Sequence, residues 1–524
     1  MASLPTVVNV NAIDERHPEW LLRNALWEKS AILYEGGQRL FESCDMFLRK
    51  KPKELSDVFV IRKQNLSYTN LLDQIVGWFI AALWKVPPTF AKNSPRAQPK
   101  PGEASRIPIA VEEFCARWEG NCDAAGGGLT EFWEEVSRHL LLYRKAYVLT
   151  DLPFSGDAPV TLKEQIDRGL LDPYLVLYSP VDVINWSVDV YGNLLHAVIY
   201  KRRRVAEFLA KPVEIEQWLY FDRQVCALYE REIKENEQVR PGDAVAKLVD
   251  GYPRPHAKSK MAKVPIDVVE VPMGLWLANR VYLPLLNHFN LDNSLDFGLF
   301  QANLAQLVVV NGPNGEYKPT QVSEVSYHQL PAGGDMYYLE PEGKSFEHSQ
   351  RRIDNLEERI YKLCYLQDQA RTNSATPTAQ SGISKSMDKM PGRDALSSLG
   401  DRVRPAIQRC YADVMQIRGF TDVTIDVRGL DFPDEKGGDE LATLVDGEAL
   451  EINSEMFERQ KCKRAVRLQL PDLNPEVYQA IDNEIDANPT PSKIAQQERE
   501  RQRASTLQRL QDSLPKAAPQ DVTA

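Results

Sequence analysis

LWLANRVYLPLLNHFNLDNSLDFGLFQANLAQLVVVNG (Leu275–Gly312) is a helix running into a strand and a turn, and the order of elements after it decides the fold. Apolar residues recur at helical spacing from Leu275 to Phe300, with Pro284 placing a kink or a restart inside that segment. Leu307 to Glu340 reads as a small strand-and-turn module. Asn311-Gly312-Pro313-Asn314-Gly315 is its turn signal, and Met336 to Leu339 supplies a return strand. A second helix, SQRRIDNLEERIYKLCYLQDQAR (Ser349–Arg371), carries Ile353, Leu356, Ile360 and Leu363 at spacings that make one apolar stripe on a charged rod. Its length corresponds to roughly 34 Å, and Glu358 and Lys362 form an i,i+4 pair on it. A Ser/Thr/Pro/Gly segment, Thr372 to Gly382, then leads into a long amphipathic helix marked by Leu396, Leu399, Val403, Ile407, Cys410, Val414 and Ile417. Pro405 interrupts that helix and Gly419 closes it. The module between the two helices is too small for its own core and is expected to gain stability from copies of itself.

Upstream, apolar positions recur through Trp20 to Leu40 and Leu71 to Trp84, where Pro87 and Pro88 end the pattern. Ala91 to Gly102 reads as a surface loop. Helical signal returns at Val111 to Trp118 and, after Gly126 to Gly128, from Thr130 to Tyr143 with Thr130 as N-cap. Pro173 to Glu230 is rich in Val, Ile, Tyr and Trp with turn punctuation at Tyr191-Gly192-Asn193, which predicts an antiparallel sheet around a core Trp186. Downstream, Val423 to Val427 alternates as a strand, and helical patterns run from Glu440 to Leu450 and from Ser454 to Leu468. Ile494 to Leu514 is charged and only weakly amphipathic. The fold class is α+β.

At 524 residues and 43% hydrophobic content the chain can bury several domains' worth of core. Its 63 Lys and Arg against 74 Asp and Glu give a net charge of -11, which disfavours tight, static binding of a polyanion and suits a surface along which one slides. Seven scattered cysteines without a CxxC pair read as reduced core thiols. The apolar run Ile75 to Trp84 is far too short to span a bilayer, so no membrane role is expected.

Catalytic signatures are missing. GxxxxGK[ST], GxGxxG, GxSxG and HExxH do not occur, and Ser386-Met387-Asp388-Lys389 matches SxxK without the companion motifs of that enzyme class. None of the seven histidines shares a ligand spacing with a cysteine. His17, His139 and His288 fall in helical segments, where capping or core-edge roles are expected. Asp292, Asp296, Asp354 and Glu358 read as solvated helix faces or as groups lining a channel. The expectation is a protein that is not an enzyme, with no cofactor and no metal.

Three segments carry a resemblance. FVIRKQNLSYTNLLDQIVGWFIAALWKVPPTF (Phe59–Phe90), YSPVDVINWSVDVYGNLLHAVIYKRRR (Tyr178–Arg204) and SGISKSMDKM (Ser381–Met390), taken with this order of elements, resemble the portal proteins of tailed bacteriophages. The resemblance covers about His17 to Ile485. It implies a wing of N-terminal helices and antiparallel sheet over residues 1–272, a first stem helix over 273–305, a small α/β clip over 306–347 and a second stem helix over 348–371. A tunnel loop over 372–384, a long wing helix and strand over 385–432, and a helical crown with a tail over 433–524 complete it. It further implies a ring of twelve copies at one capsid vertex, a virion component assembled in the host cytoplasm that nucleates capsid assembly. Its partners would be double-stranded DNA without sequence specificity, the terminase large subunit, a major capsid or scaffold protein and a head-tail adaptor. On that basis Arg371, Asn373, Ser374, Thr376, Thr378, Gln380, Ser381, Lys385 and Lys389 are expected to contact DNA in the channel, with Gly382 as a hinge. Ile353, Leu356, Ile360 and Leu363 are the expected oligomer interface, buried against the neighbouring stem or against the other stem helix. The basic run Lys201 to Arg204, at the end of a strand, is expected to meet capsid or scaffold protein or to serve solubility, rather than to read bases. The alternatives are a metal-dependent nucleic-acid-processing enzyme of a phage and another head-tail ring component.

Overall fold

The computed structural model describes residues 4–93, 109–154, 161, 164–165, 169–206, 212–233, 244–302, 306–310, 335–339, 344–366, 382–430, 455–469, 475–488, 501 and 504–506. It is a mixed α+β chain that divides into two compact units, Met1–Leu430 and Asp431–Ala524.

In the first unit, strand β1 (Val7–Asn9) and a turn of helix α1 (Val10–Ile13) precede α2 (Pro18–Glu35), α3 (Gly37–Glu42), α4 (Ser56–Gln64) and α5 (Leu71–Leu83). His17 caps α2: its Nδ1 accepts from the Glu19 N–H at 3.1 Å, and its ring stacks on Trp186 at 3.8 Å. α5 is the most apolar of these helices, with Leu71, Leu72, Ile75, Val76, Phe79, Ile80 and Leu83 all buried. Strand β2 (Thr89–Asn93) follows, and its last residues overlap the start of the expected loop, Ala91 to Gly102. Its partner, β14 (Thr424–Arg428), comes from the far end of the unit, and that pairing has no local signature. α6 (Ile109–Gly120) and α7 (Leu129–Tyr143) lead into the sheets. The N-cap of α7 is Gly128, not Thr130; the Glu131 carboxylate reaches back to accept from the Gly128 N–H at 3.2 Å.

The strands that follow form two sheets where the sequence suggests one. β5 (Val183–Val188), β6 (Leu194–Val205), β7 (Val213–Asp222), β8 (Val225–Ile233) and β9 (Val245–Leu248) continue to β1, and β10 (Arg254–Pro255) adds onto β8. β4 (Tyr174–Tyr178), predicted to belong to the same meander, instead pairs with β3 (Lys145–Asp151), whose other neighbour is β11 (Ile266–Glu270). Tyr147 and Leu149 of β3, Tyr178 of β4, and Val183, Trp186, Ala197, Ile199 and Phe221 of the larger sheet share one core, so side-chain packing across two sheets replaces backbone pairing within one.

Helix α8 (Leu277–Ala302) runs through Pro284 without a break. β12 (Gln306–Val310), β13 (Asp335–Leu339), α9 (Lys344–Leu363) and α10 (Gly382–Arg418) come next. α9 begins earlier and ends earlier than its sequence suggests. It stops at Leu363, and Tyr365 takes a positive φ of 65°. In α10, Leu396, Leu399, Val403, Ile407, Cys410 and Val414 form one buried stripe, each no more than 3% exposed. Pro391 and Pro405 both lie inside the helix. Gly419, at φ 90°, ends it, with the Phe420 N–H bonding the Met415 carbonyl at 2.8 Å. Gly400 is fixed by a close approach: a Cβ there would stand 2.2 Å from the Leu430 carbonyl oxygen.

In the second unit, α11 (Glu455–Gln469) and α12 (Pro475–Ala487) form a helical pair joined by ion pairs from Lys463 to Asp486 at 2.7 Å and from Arg467 to Asp482 at 3.0 Å. The helix expected over Glu440 to Leu450 lies outside the described residues.

Candidate functional site

The segment around α8 and α9 is one continuous hairpin. In its strands Gln306 pairs with Leu339 and Val310 with Asp335. In its helices Gly298 lies against Phe346, His288 Nε2 is 3.1 Å from Glu357 Oε1, and Arg280 bonds the Tyr365 hydroxyl. Each step inward along one arm is matched by a step outward along the other, so helices and strands keep a single antiparallel register. The 26 residues of α8 give an arm of roughly 39 Å. Gly298 allows the arms to close near the strands, because a Cβ there would already be 3.1 Å from the Phe346 ring.

α9 is charged on its outside and apolar inside. Ile353 and Leu356 are 4% exposed and Ile360 is fully buried, while Leu363 is only partly covered and Cys364 completes the seam. Of the two covers expected for the stripe, a neighbouring subunit or the other stem helix, the second accounts for Ile353, Leu356 and Ile360, since α9 packs on α8. Among the described residues the large apolar side chains that the hairpin leaves exposed are Leu283, Leu299, Phe300 and Val310.

A polar seam accompanies the apolar one. His288 is 3% exposed and faces Glu357, while burial and then the nearby Asp296 carboxylate hold Asp292 above the usual carboxylate range. Asp354 accepts from the Gln350 side chain at 2.9 Å, and Glu358 pairs with Lys362 on the outer face.

Two asparagines of α8 anchor the hairpin to the N-terminal helices. Asn290 donates to the Phe47 carbonyl at 3.0 Å and accepts from the Arg49 N–H at 2.7 Å. Asn293, one turn on and 1% exposed, accepts from the Ser67 N–H at 2.9 Å and donates to the Ser67 carbonyl at 2.8 Å. The loop that Asn290 reads is itself held by a buried pair: Arg62 binds Glu54 through two contacts of 2.9 Å and donates to the Arg49 carbonyl at 2.7 Å. Asn293→Leu should leave both Ser67 backbone groups unsatisfied and cost about 2 kcal/mol, read as a lower midpoint in urea unfolding, with Asn290→Leu, at a more exposed site, costing less.

Gly382 is the first residue of α10, so the expected tunnel loop ends at residue 381 and the proposed hinge opens a helix. Lys385 and Lys389 lie in the first turns of the same helix. Arg371, Asn373, Ser374, Thr376, Thr378, Gln380 and Ser381 lie outside the described residues. The basic run Lys201 to Arg204 lies on β6, exposed, where Arg202 pairs with Glu214 across the ladder and Lys201 stands over the Tyr178 ring at 4.5 Å. Sequence reasoning misses the Arg62–Glu54 pair and a second buried cation, Lys258. Its Nζ lies 2.5 Å from Asp267 and 2.7 Å from Asp413, joining α10 to β11. Nothing local marks either residue as buried.

Among the described residues no group of three or more His, Cys, Asp or Glu is arranged to hold a metal ion, and no helix is long and apolar enough to cross a membrane. The cysteines are free: six are buried and Cys462, contrary to expectation, is exposed on α11. Burial pushes the thiols of Cys122, Cys364 and Cys410 up to about 12, which makes them unreactive.

No protein-family model matches the chain, and no curated protein matches it. Solved structures similar to it include a chain in the neck of an empty gene transfer agent particle computed with C6 symmetry, 10% identical, covering 79% of this chain and 95% of that one at a TM-score of 0.39. A chain in the virion of a native gene transfer agent particle is 13% identical and covers 81% of this chain and 96% of that one at 0.36. A chain in the neck of the native particle computed with C12 symmetry is 12% identical and covers 80% and 94% at 0.34.

Proposed function

We propose that the chain is a structural component of the head-to-tail region of a phage-like particle, and specifically a portal protein. Copies would form a ring, of twelve by the family pattern, at one capsid vertex, through which double-stranded DNA enters and leaves without being read. The observation that carries this reading is the long two-helix hairpin, ending in a strand pair and holding one register from Arg280 to Tyr365, followed directly in sequence by the segment that leads into α10. A rod of that length with a small strand tip suits a stem bearing a clip, and the resemblance of Phe59–Phe90, Tyr178–Arg204 and Ser381–Met390 supports the same family. Overall negative charge suits a conduit, since strong phosphate contacts would stall a sliding polyanion.

In this reading the strand tip docks the terminase large subunit during packaging and a head-tail adaptor afterwards, and the wing meets capsid or scaffold protein. The segment of residues 372–381 faces the channel, with Arg371, Lys385 and Lys389 giving modest attraction at its ends. Negative-stain images of purified protein should show rings with a central hole. Removing Ala375 to Ala379 should leave those rings intact and reduce DNA packaging or retention at least tenfold. Rings that package normally after that deletion would remove the segment from the channel. Metal-dependent hydrolysis of DNA by ring-free protein would instead favour a processing enzyme.

A further inference from the structure

β11 is the outer strand of the three-stranded sheet, and among the described residues no strand pairs with its far edge. The Thr150 N–H bonds the Pro265 carbonyl at 2.8 Å and the Val271 N–H bonds the Arg144 carbonyl at 3.0 Å. Backbone groups alternate in direction along an antiparallel strand, so Asp267 and Val269 face β3 while Ile266, Val268 and Glu270 face away from it. Among the described residues none of these three makes a backbone hydrogen bond on that side. A cleft of about 440 Å³ lies along the edge, lined by Ile266 and Val268, by Asn193 of the β5–β6 turn, by Arg223 of the β7–β8 turn, and by Lys263. Pro265 and Pro272 bracket the strand and limit the edge to a few residues.

Charge at the cleft favours an acidic occupant. Lys263 has a side chain 61% exposed and only a 3.6 Å contact to Asp413, and Arg223, 41% exposed, meets Asp189 at 2.9 Å. The one carboxylate in the lining, Asp267, is bound by the buried Lys258 at 2.5 Å.

We propose that this cleft is a docking site for an extended acidic segment of a partner protein, which adds as a further strand to β11 and sets its carboxylates against Lys263 and Arg223. Strand addition draws affinity from the backbone ladder and selectivity from the flanking side chains. The site is independent of the ring reading.

The test uses full-length protein and fluorescein-labelled acetyl-Thr-Val-Glu-Val-Glu-Val-amide, read by fluorescence anisotropy, with a Lys-for-Glu peptide as control. Val268→Pro removes an outward N–H without touching the β3 ladder, and Arg223→Glu with Lys263→Glu reverses the charge while keeping the edge. The acidic peptide is expected to bind at least tenfold more weakly to each variant, the Lys peptide at least tenfold more weakly to the wild type, and saturating acidic peptide should slow exchange of the Val268 amide. The proposal is overturned by no binding up to millimolar peptide, by equal binding to wild type and the charge-reversed protein, or by an unprotected Val268 amide. Self-association that Val268→Pro abolishes, without peptide binding, would give the edge to a second copy and also overturn it. A 20-base-pair duplex bound in place of peptide does the same for nucleic acid.

Discussion

Ile360→Asp should release the α8–α9 hairpin from its packed state. Ile360 is fully buried on the inner face of α9, and removing it forfeits about 1.5–3 kcal/mol of apolar burial. The new carboxylate would stand buried in an apolar seam, between Leu356 and Cys364 on successive turns, which adds several kcal/mol more. The combined effect is comparable to a domain's whole stability, so the expected product is protein whose residues 344–363 exchange amide hydrogens as fast as an unfolded segment. Ile360→Val keeps the seam dry and should cost only about 1 kcal/mol. If Ile360→Asp melted like wild type, the stripe would not be the contact that holds the arms together. Because α8 already covers Ile353, Leu356 and Ile360, any loss of the proposed rings in this variant should follow loss of the hairpin, not precede it.

Lys258→Met should destabilise the first unit by about 3–5 kcal/mol, the usual cost of stripping one partner from a buried ionic cluster. Lys258 is fully buried, and Met would leave Asp267 and Asp413 facing one another, with the exposed Lys263, 3.6 Å from Asp413, as the remaining ion-pair partner among the described residues. The pH dependence identifies the cause. Burial alone would lower the lysine's proton affinity, yet the two carboxylates overcome it and raise the pKa. A raised folded-state pKa contributes stability that is complete below the unfolded lysine value of about 10.4 and is lost as pH climbs through the folded value. Wild type should therefore lose this increment only in strongly alkaline solution, and the Met variant should show no such loss. Denaturant unfolding at pH 7 and pH 11 measures both effects. A variant that matches wild type at pH 7 would show that α10 is held to β11 by apolar contacts alone.

Much of the architecture is legible from local pattern. The stripe from Leu396 to Val414 marks α10, the apolar run of α5 and the closing Gly419 are readable at sight, and the order helix, strand, turn, strand, helix foretells the hairpin. The element ends are less secure. Gly128 takes the cap expected of Thr130, because Glu131 can reach back to whichever backbone N–H precedes it at the right distance. α9 stops at Leu363 although its helix-compatible sequence continues to Arg371, since Tyr365 bonds Arg280 of the opposite arm in a left-handed conformation that ends the helix.

The sequence by itself determined which residues must be covered; the tertiary structure decided by what. Period and composition fix that Ile353, Leu356 and Ile360 share one face and that this face avoids water, because side-chain direction comes from backbone geometry alone. They do not say whether the cover comes from a neighbouring subunit or from α8, since an apolar face has no address. The same limit explains why β4 leaves the predicted meander for β3, why β2 finds β14 from the opposite end of the unit, and why Lys258, Arg62 and Asn293 look like ordinary polar residues in the sequence. Strand pairing and buried polar contacts depend on groups brought together by the whole chain, and the energy that makes an ion pair or a bidentate amide worth burying exists only once neighbouring elements have excluded the solvent.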